Sequence, residues 1–288
     1  MAIAATSCVE RIPNAIDSLG GDQLVMESIL SPDMAVQAAV SISHDLNSAT
    51  NISFPETAEI ELMGDGLQGS SLRFSYKSSS NRYILRNQEF RPEEGGEYQI
   101  RAFVPDTDID TILSTTRIPS EIKISNASFD NREIQDVNGA SDYFFDLTIE
   151  VEQPEEVGSY LHIIPTYKTN TSPDFQKFQV SDPETNKTAV NTFYLEEGVF
   201  IDMSKLNGNT ITISVSTLIP VKAGALIKDI YFETRSTNKD YYKYLQTRAK
   251  QNEVEDTGLS SPITDYTNIE NGLGVFASYS VSSHSIKF

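Results

Sequence analysis

The chain has 288 residues, 39% hydrophobic and 22% charged, a composition that suits one or two globular domains with sizeable cores and excludes a disordered chain. Its net charge of −19 argues against a nucleic-acid binder, which needs a basic face, and against electrostatic attachment to an anionic membrane. One cysteine excludes an internal disulfide and a Cys-rich metal site, and no run of about 18 apolar residues offers a transmembrane helix.

That cysteine, Cys8, lies near the start of the chain. The small residues Ala4-Ala5-Thr6-Ser7 lead up to it and a polar, Pro13-containing stretch follows, the pattern of a bacterial lipoprotein processing site. A lipid on Cys8 makes residues 1–21 a signal remnant and tether, with slack from Gly20-Gly21. A secretory signal has a basic start and roughly 7–15 apolar residues. Here only Ala2 to Ala5 precede Thr6 and Ser7, and the first basic residue is Arg11, so the native start is expected upstream of Met1.

From Gln23 the hydrophobic pattern has period two. Val36, Ala38, Val40 and Ile42 alternate with polar or small residues, as do Ala58, Ile60 and Leu62, then Leu72, Phe74 and Tyr76; Tyr98, Ile100, Ala102 and Val104 alternate with Gln99, Arg101 and Phe103. Such alternation marks half-buried antiparallel strands. Turn residues separate them: Gly64-Asp65-Gly66, the cluster at 78–81, and Gly95-Gly96. With 23–30, 82–85 and 111–117 this makes about seven strands in about a hundred residues, a sandwich signature. The first domain is expected over 22–119.

The second, 120–288, opens on a long strand with Tyr143, Phe145, Leu147, Ile149 and Val151 on one face. Residues 161–167, 199–202, 211–218 and 226–234 also read as strands, and the polar stretches 169–175 and 181–188 as recognition loops. One segment breaks the pattern. Tyr241, Leu245 and Ala249 recur at helical spacing behind Asn238 or Asp240 as cap, predicting a helix near 238–251. Residues 275–280 and 283–288 read as two closing strands. The expected fold is all-β: two β-sandwiches in series, Ig-like or carboxypeptidase-regulatory-like, with one short helix in the C-terminal domain.

Candidate chemistry is sparse. His44, His162 and His284 have no partner at metal-ligand spacing. Asp106, Asp108 and Asp110 alternate like the start of a calcium loop, but Thr111 and Arg117 stand where an EF-hand needs Gly and Glu. A loop-bound cation or a solvated acidic loop remain as alternatives there. No G-x-S-x-G elbow occurs, and the paired carboxylates at 93–94, 155–156 and 196–197 lie beside Gly or Pro in turns. Tyr241, Tyr242 and Tyr244 crowd the helix start, as packing residues or as contacts to a partner. Gly272 and Gly274, followed by Phe276, read as a tight loop that docks the last strand into the second sandwich, with a ligand-lining loop or a partner contact as the alternative.

Several stretches together carry a resemblance: QLVMESIL at 23–30, GGEYQIRAFV at 95–104 followed by Ile118-Pro119, DYYKYL at 240–245 and NIENGLGVFASYS at 268–280. In this order they resemble the domain-of-unknown-function 4249 family of Bacteroidota lipoproteins over nearly the whole chain. The resemblance implies an outer-membrane lipoprotein, anchored by Cys8 and more often on the cell surface than on the periplasmic face. It also implies a companion of a TonB-dependent nutrient transporter and of further lipoproteins. No catalytic residues are defined for the family, so the expectation is a non-enzymatic accessory subunit without cofactor. The alternatives are a structural or adhesive surface subunit working by strand exchange, and a hydrolase with a site between the domains.

Overall fold

The computed structural model describes residues 22–44, 52–67, 69–137, 140–152, 160–178, 180–181, 193–195, 198–203, 210–222, 224–257 and 266–288. Cys8 and the tether, most of the 181–188 stretch, and residues 258–265 lie outside them. The fold is all-β with one helix. In chain order the elements are β1 (Gln23–Leu30), β2 (Gln37–Ser43), β3 (Ile52–Ser53), β4 (Glu59–Gly64), β5 (Leu72–Lys77), β6 (Arg82–Leu85), β7 (Glu97–Phe103) and β8 (Ile112–Arg117). There follow β9 (Ile124–Val137), β10 (Ala140–Glu152), β11 (Tyr160–Thr169), β12 (Gln176–Lys177), β13 (Val180–Ser181), β14 (Phe193–Leu195), β15 (Gly198–Asp202), β16 (Thr210–Lys222) and β17 (Ile227–Thr237). Helix α1 (Lys239–Thr257) and β18 (Leu273–Lys287) complete the chain.

The period-two segments become strands because their apolar sets can all enter one core. Leu24, Met26 and Leu30 of β1, Ile60 and Leu62 of β4, and Tyr98, Ile100 and Ala102 of β7 are buried together with residues of β2, β5, β6 and β8. Burying each such Leu, Ile or Met contributes about 1.5–3 kcal/mol before the entropy cost of ordering it. Strand order β1-β2-β6-β5-β4-β7-β8 wraps the sheet around this N-terminal core. A second core lies between two layers. One is the four-stranded sheet β13-β16-β10-β9, and the other is formed by β15, β11, β17 and the end of β18. Tyr143, Phe145 and Leu147 of β10 meet Leu161 and Ile163 of β11 and Ile230 and Phe232 of β17 there. Along the chain the two cores change over between Ile118 and Ile122.

The last strand joins the two. Residues 273–278 of β18 run parallel to β1, and residues 279–287 run antiparallel to β17. The sheet is therefore continuous from β14 to β8. Just before β18, Glu270 bridges Leu113 of β8 through two main-chain bonds. Residues 268–278 thus close the gap between β8 and β1, and Ile269 and Phe276 enter the N-terminal core.

Two differences from the sequence reading have physical causes. β18 is one 15-residue strand, not two. Its middle, Ser280-Val281-Ser282, looks turn-like in sequence, but Ser280 and Ser282 are buried and Ser282 Oγ donates to the Ile122 carbonyl at 2.5 Å. β9 has no counterpart among the predicted strands. Among the described strands it is an edge strand paired with β10 alone, so most of its described side chains face solvent and carry no alternation to detect.

Candidate functional site

Asn238 starts the helix. Its Oδ1 accepts from the Tyr241 N–H at 2.9 Å, an N-cap, while its Nδ2 donates to Thr116 Oγ1 at 2.7 Å. The helix is therefore pinned to β8 at its first residue. It runs on to Thr257, past the predicted end. Its first turns lie over the stretch where β1, β18 and β17 meet, and a third cluster forms there: Tyr160, Phe200, Tyr241, Tyr242, Val275, Ala277 and Tyr279.

The rings in this cluster are in direct contact. Tyr242 stacks on Tyr160 with centroids 4.3 Å apart, and Tyr241 packs against Tyr279 at 5.4 Å. His162 lies flat on Phe200 at 3.8 Å. Arg235 sits over the Tyr279 ring at 4.7 Å, donates to the Tyr241 hydroxyl and pairs with Glu233 at 2.6 Å. Burial works against the Arg235 charge, and Tyr241, Tyr279 and Glu233 more than restore it. Burial, with Asp202 and Tyr160, pushes the Tyr242 hydroxyl up to about 12. Burial, then Glu27, pushes Tyr244 up to about 12, and the Tyr244 hydroxyl donates to Glu27 Oε2 at 3.0 Å.

Tyr241 and Tyr242 are 4% and 1% exposed, spent on internal packing, while Tyr244 is half-buried. Phe276 is fully buried in the N-terminal core. Gly272 and Gly274 serve the docking of β18 against β1, in the N-terminal core rather than the second one. A Cβ on Gly272 would meet Ile112 Cγ2 at 2.5 Å and the Leu24 carbonyl at 2.6 Å. Gly274 has φ +104, and its Cβ would run into the Met26 carbonyl. Asp106, Asp108 and Asp110 are exposed. Among the described residues no group of three or more His, Cys, Asp or Glu is placed to hold a metal ion. Cys8 lies outside the described residues.

Residues absent from the sequence candidates line a cleft of about 340 Å³ between β4 and β5: Glu56, Glu59 and Glu61 on one wall, Arg73, Ser75 and Tyr76 on the other. Nothing in the sequence could have found it, because it depends on where two strands stop pairing.

A family model described as "Domain of unknown function (DUF4249)" matches residues 9–285. No curated protein matches the chain.

Proposed function

The chain belongs to the DUF4249 family, and from that premise we propose that it is a non-enzymatic lipoprotein. It is anchored by a lipid on Cys8 and serves as an accessory subunit of a TonB-dependent nutrient transporter at the outer membrane. The observation that carries the proposal is the position of the match. It begins at Val9, the residue after Cys8, so the cysteine stands at the edge of the shared body where an anchor belongs. No described helix is long and apolar enough to cross a membrane.

Intact-mass analysis of the protein from its native membranes tests the anchor. A diacylglycerol adduct on Cys8, with residues 1–7 removed, is the expected result. A mature protein that keeps Ala2 to Ser7 and a free thiol defeats it. Cross-linking and pull-down from the same membranes test the partner, and recovery of no outer-membrane transporter counts against that half. A structural or adhesive role draws on one observation, the 14-residue edge strand β9, which offers its outer side to a strand from another molecule. Concentration-dependent assembly of the purified chain would favour that second role.

A further inference from the structure

β4 and β5 pair at Glu61↔Arg73 and Leu62↔Leu72 and no further. Past that point β4 keeps to β7 as far as Glu59, and β5 keeps to β6 as far as Lys77. The strands part, and the cleft opens between them. Its lining includes outward residues, Glu59, Arg73 and Ser75, and buried ones, Ile60, Phe74 and Tyr83. Residues of both faces line it only because it lies between the strands rather than on one face of the sheet.

The phase of the ladders says which main-chain groups it exposes. The Arg86 N–H donates to the Arg73 carbonyl, while the Leu85 N–H turns the other way, to Val36. Alternation along β5 then directs Arg73 and Ser75 toward β6, and Phe74 and Tyr76 toward the cleft. On the opposite wall the Asp65 N–H bonds the Glu97 carbonyl, which by the same alternation directs Glu59 and Glu61 toward β7 and Ile60 toward the cleft. At the far end the Ala58 N–H donates to the Tyr83 hydroxyl at 3.0 Å, and that hydroxyl donates to the Pro55 carbonyl. A side chain there takes the place that a neighbouring strand would fill.

Charge sets what else an occupant should carry. Glu61 is engaged by Arg73 at 3.2 Å and Arg101 at 2.9 Å, and Arg86 donates to Ser75 Oγ at 3.0 Å. Glu56 and Glu59 are exposed at the lining of a protein that is already strongly acidic. The apolar Phe54, 53% exposed, stands two residues before Glu56. We propose that this cleft binds an extended peptide segment of a partner protein, which adds a short strand against Tyr76 and Ile60 and places a Lys or Arg at Glu56 and Glu59. The site is separate from the lipid anchor and stands or falls without it.

The test uses the full chain and a labelled, end-capped peptide of alternating Val and Lys, followed by fluorescence anisotropy. Saturable binding is expected. Glu59→Lys should weaken it by about tenfold or more, as should backbone N-methylation of the peptide, while Glu133→Lys on β9 should leave it unchanged. The matched Val/Glu peptide should gain affinity for Glu59→Lys, which also shows that this variant is folded. Lack of saturable binding overturns the proposal, and so does equal binding of the N-methylated peptide. Displacement of the Val/Lys peptide by a neutral oligosaccharide, maltohexaose, overturns it in favour of a sugar site.

Discussion

Asn268 clamps the turn that feeds β18. Its Nδ2 donates to the Phe276 carbonyl at 2.8 Å and its Oδ1 accepts from the Phe276 N–H at 2.9 Å, so one side chain meets both main-chain groups of a buried residue. Asn268→Ala leaves both unmet and should cost about 1–3 kcal/mol, read as a lower urea midpoint. Asn268→Asp keeps the acceptor but sets a carboxylate oxygen against the Phe276 carbonyl, and should cost at least as much at neutral pH. Gly274 is held more strictly. With φ +104 and the Met26 carbonyl where a Cβ would stand, Gly274→Ala should cost more than about 3 kcal/mol or abolish folding. Gly66 has φ +77 and nothing within 4 Å, so Gly66→Ala should cost only about 1 kcal/mol. Equal midpoints for the two glycine variants would remove the tight β1–β18 approach as the reason for Gly274.

Among the elements, α1 depends on Asn238 in two separable ways. Asn238→Ala removes the cap and the bond to Thr116, and should cost about 1–2 kcal/mol. Asn238→Asp keeps a capping oxygen but cannot donate to Thr116, so in denaturant unfolding its loss relative to the wild type measures the tie to β8, and the gap between the two variants measures the cap. Tyr242 and Tyr244 of the helix titrate above their ordinary value near 10. A raised folded-state value means stability that is intact below about pH 10 and drains as pH climbs toward about 12. Melting temperature should fall across that window together with the appearance of tyrosinate absorbance, and Tyr242→Phe should flatten the fall. The same elements show what sequence could reveal. β10 and β17 were legible because each buries alternate apolar residues. β9 was not, because an edge strand facing solvent needs no pattern, and the short β12, β13 and β14 were too brief to carry one. The helix start was legible from its cap. Its tyrosines were legible as a cluster, though sequence spacing left open whether they face inward, and the structure buries Tyr241 and Tyr242.

At the scale of the molecule, the two cores share a strand and a seam. Ser114 Oγ donates to the Asn268 carbonyl at 2.8 Å, and Ser278 Oγ donates to the Arg117 carbonyl at 2.6 Å. A fragment of residues 22–119 therefore lacks the segment that closes its sheet, and should fail to give dispersed amide signals by NMR. The full chain should unfold in one calorimetric transition. A well-folded 22–119 fragment, or two separate transitions, would show the cores to be independent. None of this was visible beforehand. Alternation tells which face of a strand is buried, but it is silent on which strand lies beside it, and so on both the β18 seam and the cleft where β4 leaves β5.

The parallel pairing of β1 with β18 also sets a timetable. β1 waits for β18, so the N-terminal core stays open until residues 273–278 have been made. Contacts so distant in sequence make folding slow, because a loop of almost the entire chain must close first. The latch that finishes the first core is made only after every strand of the second core up to β17 has been made.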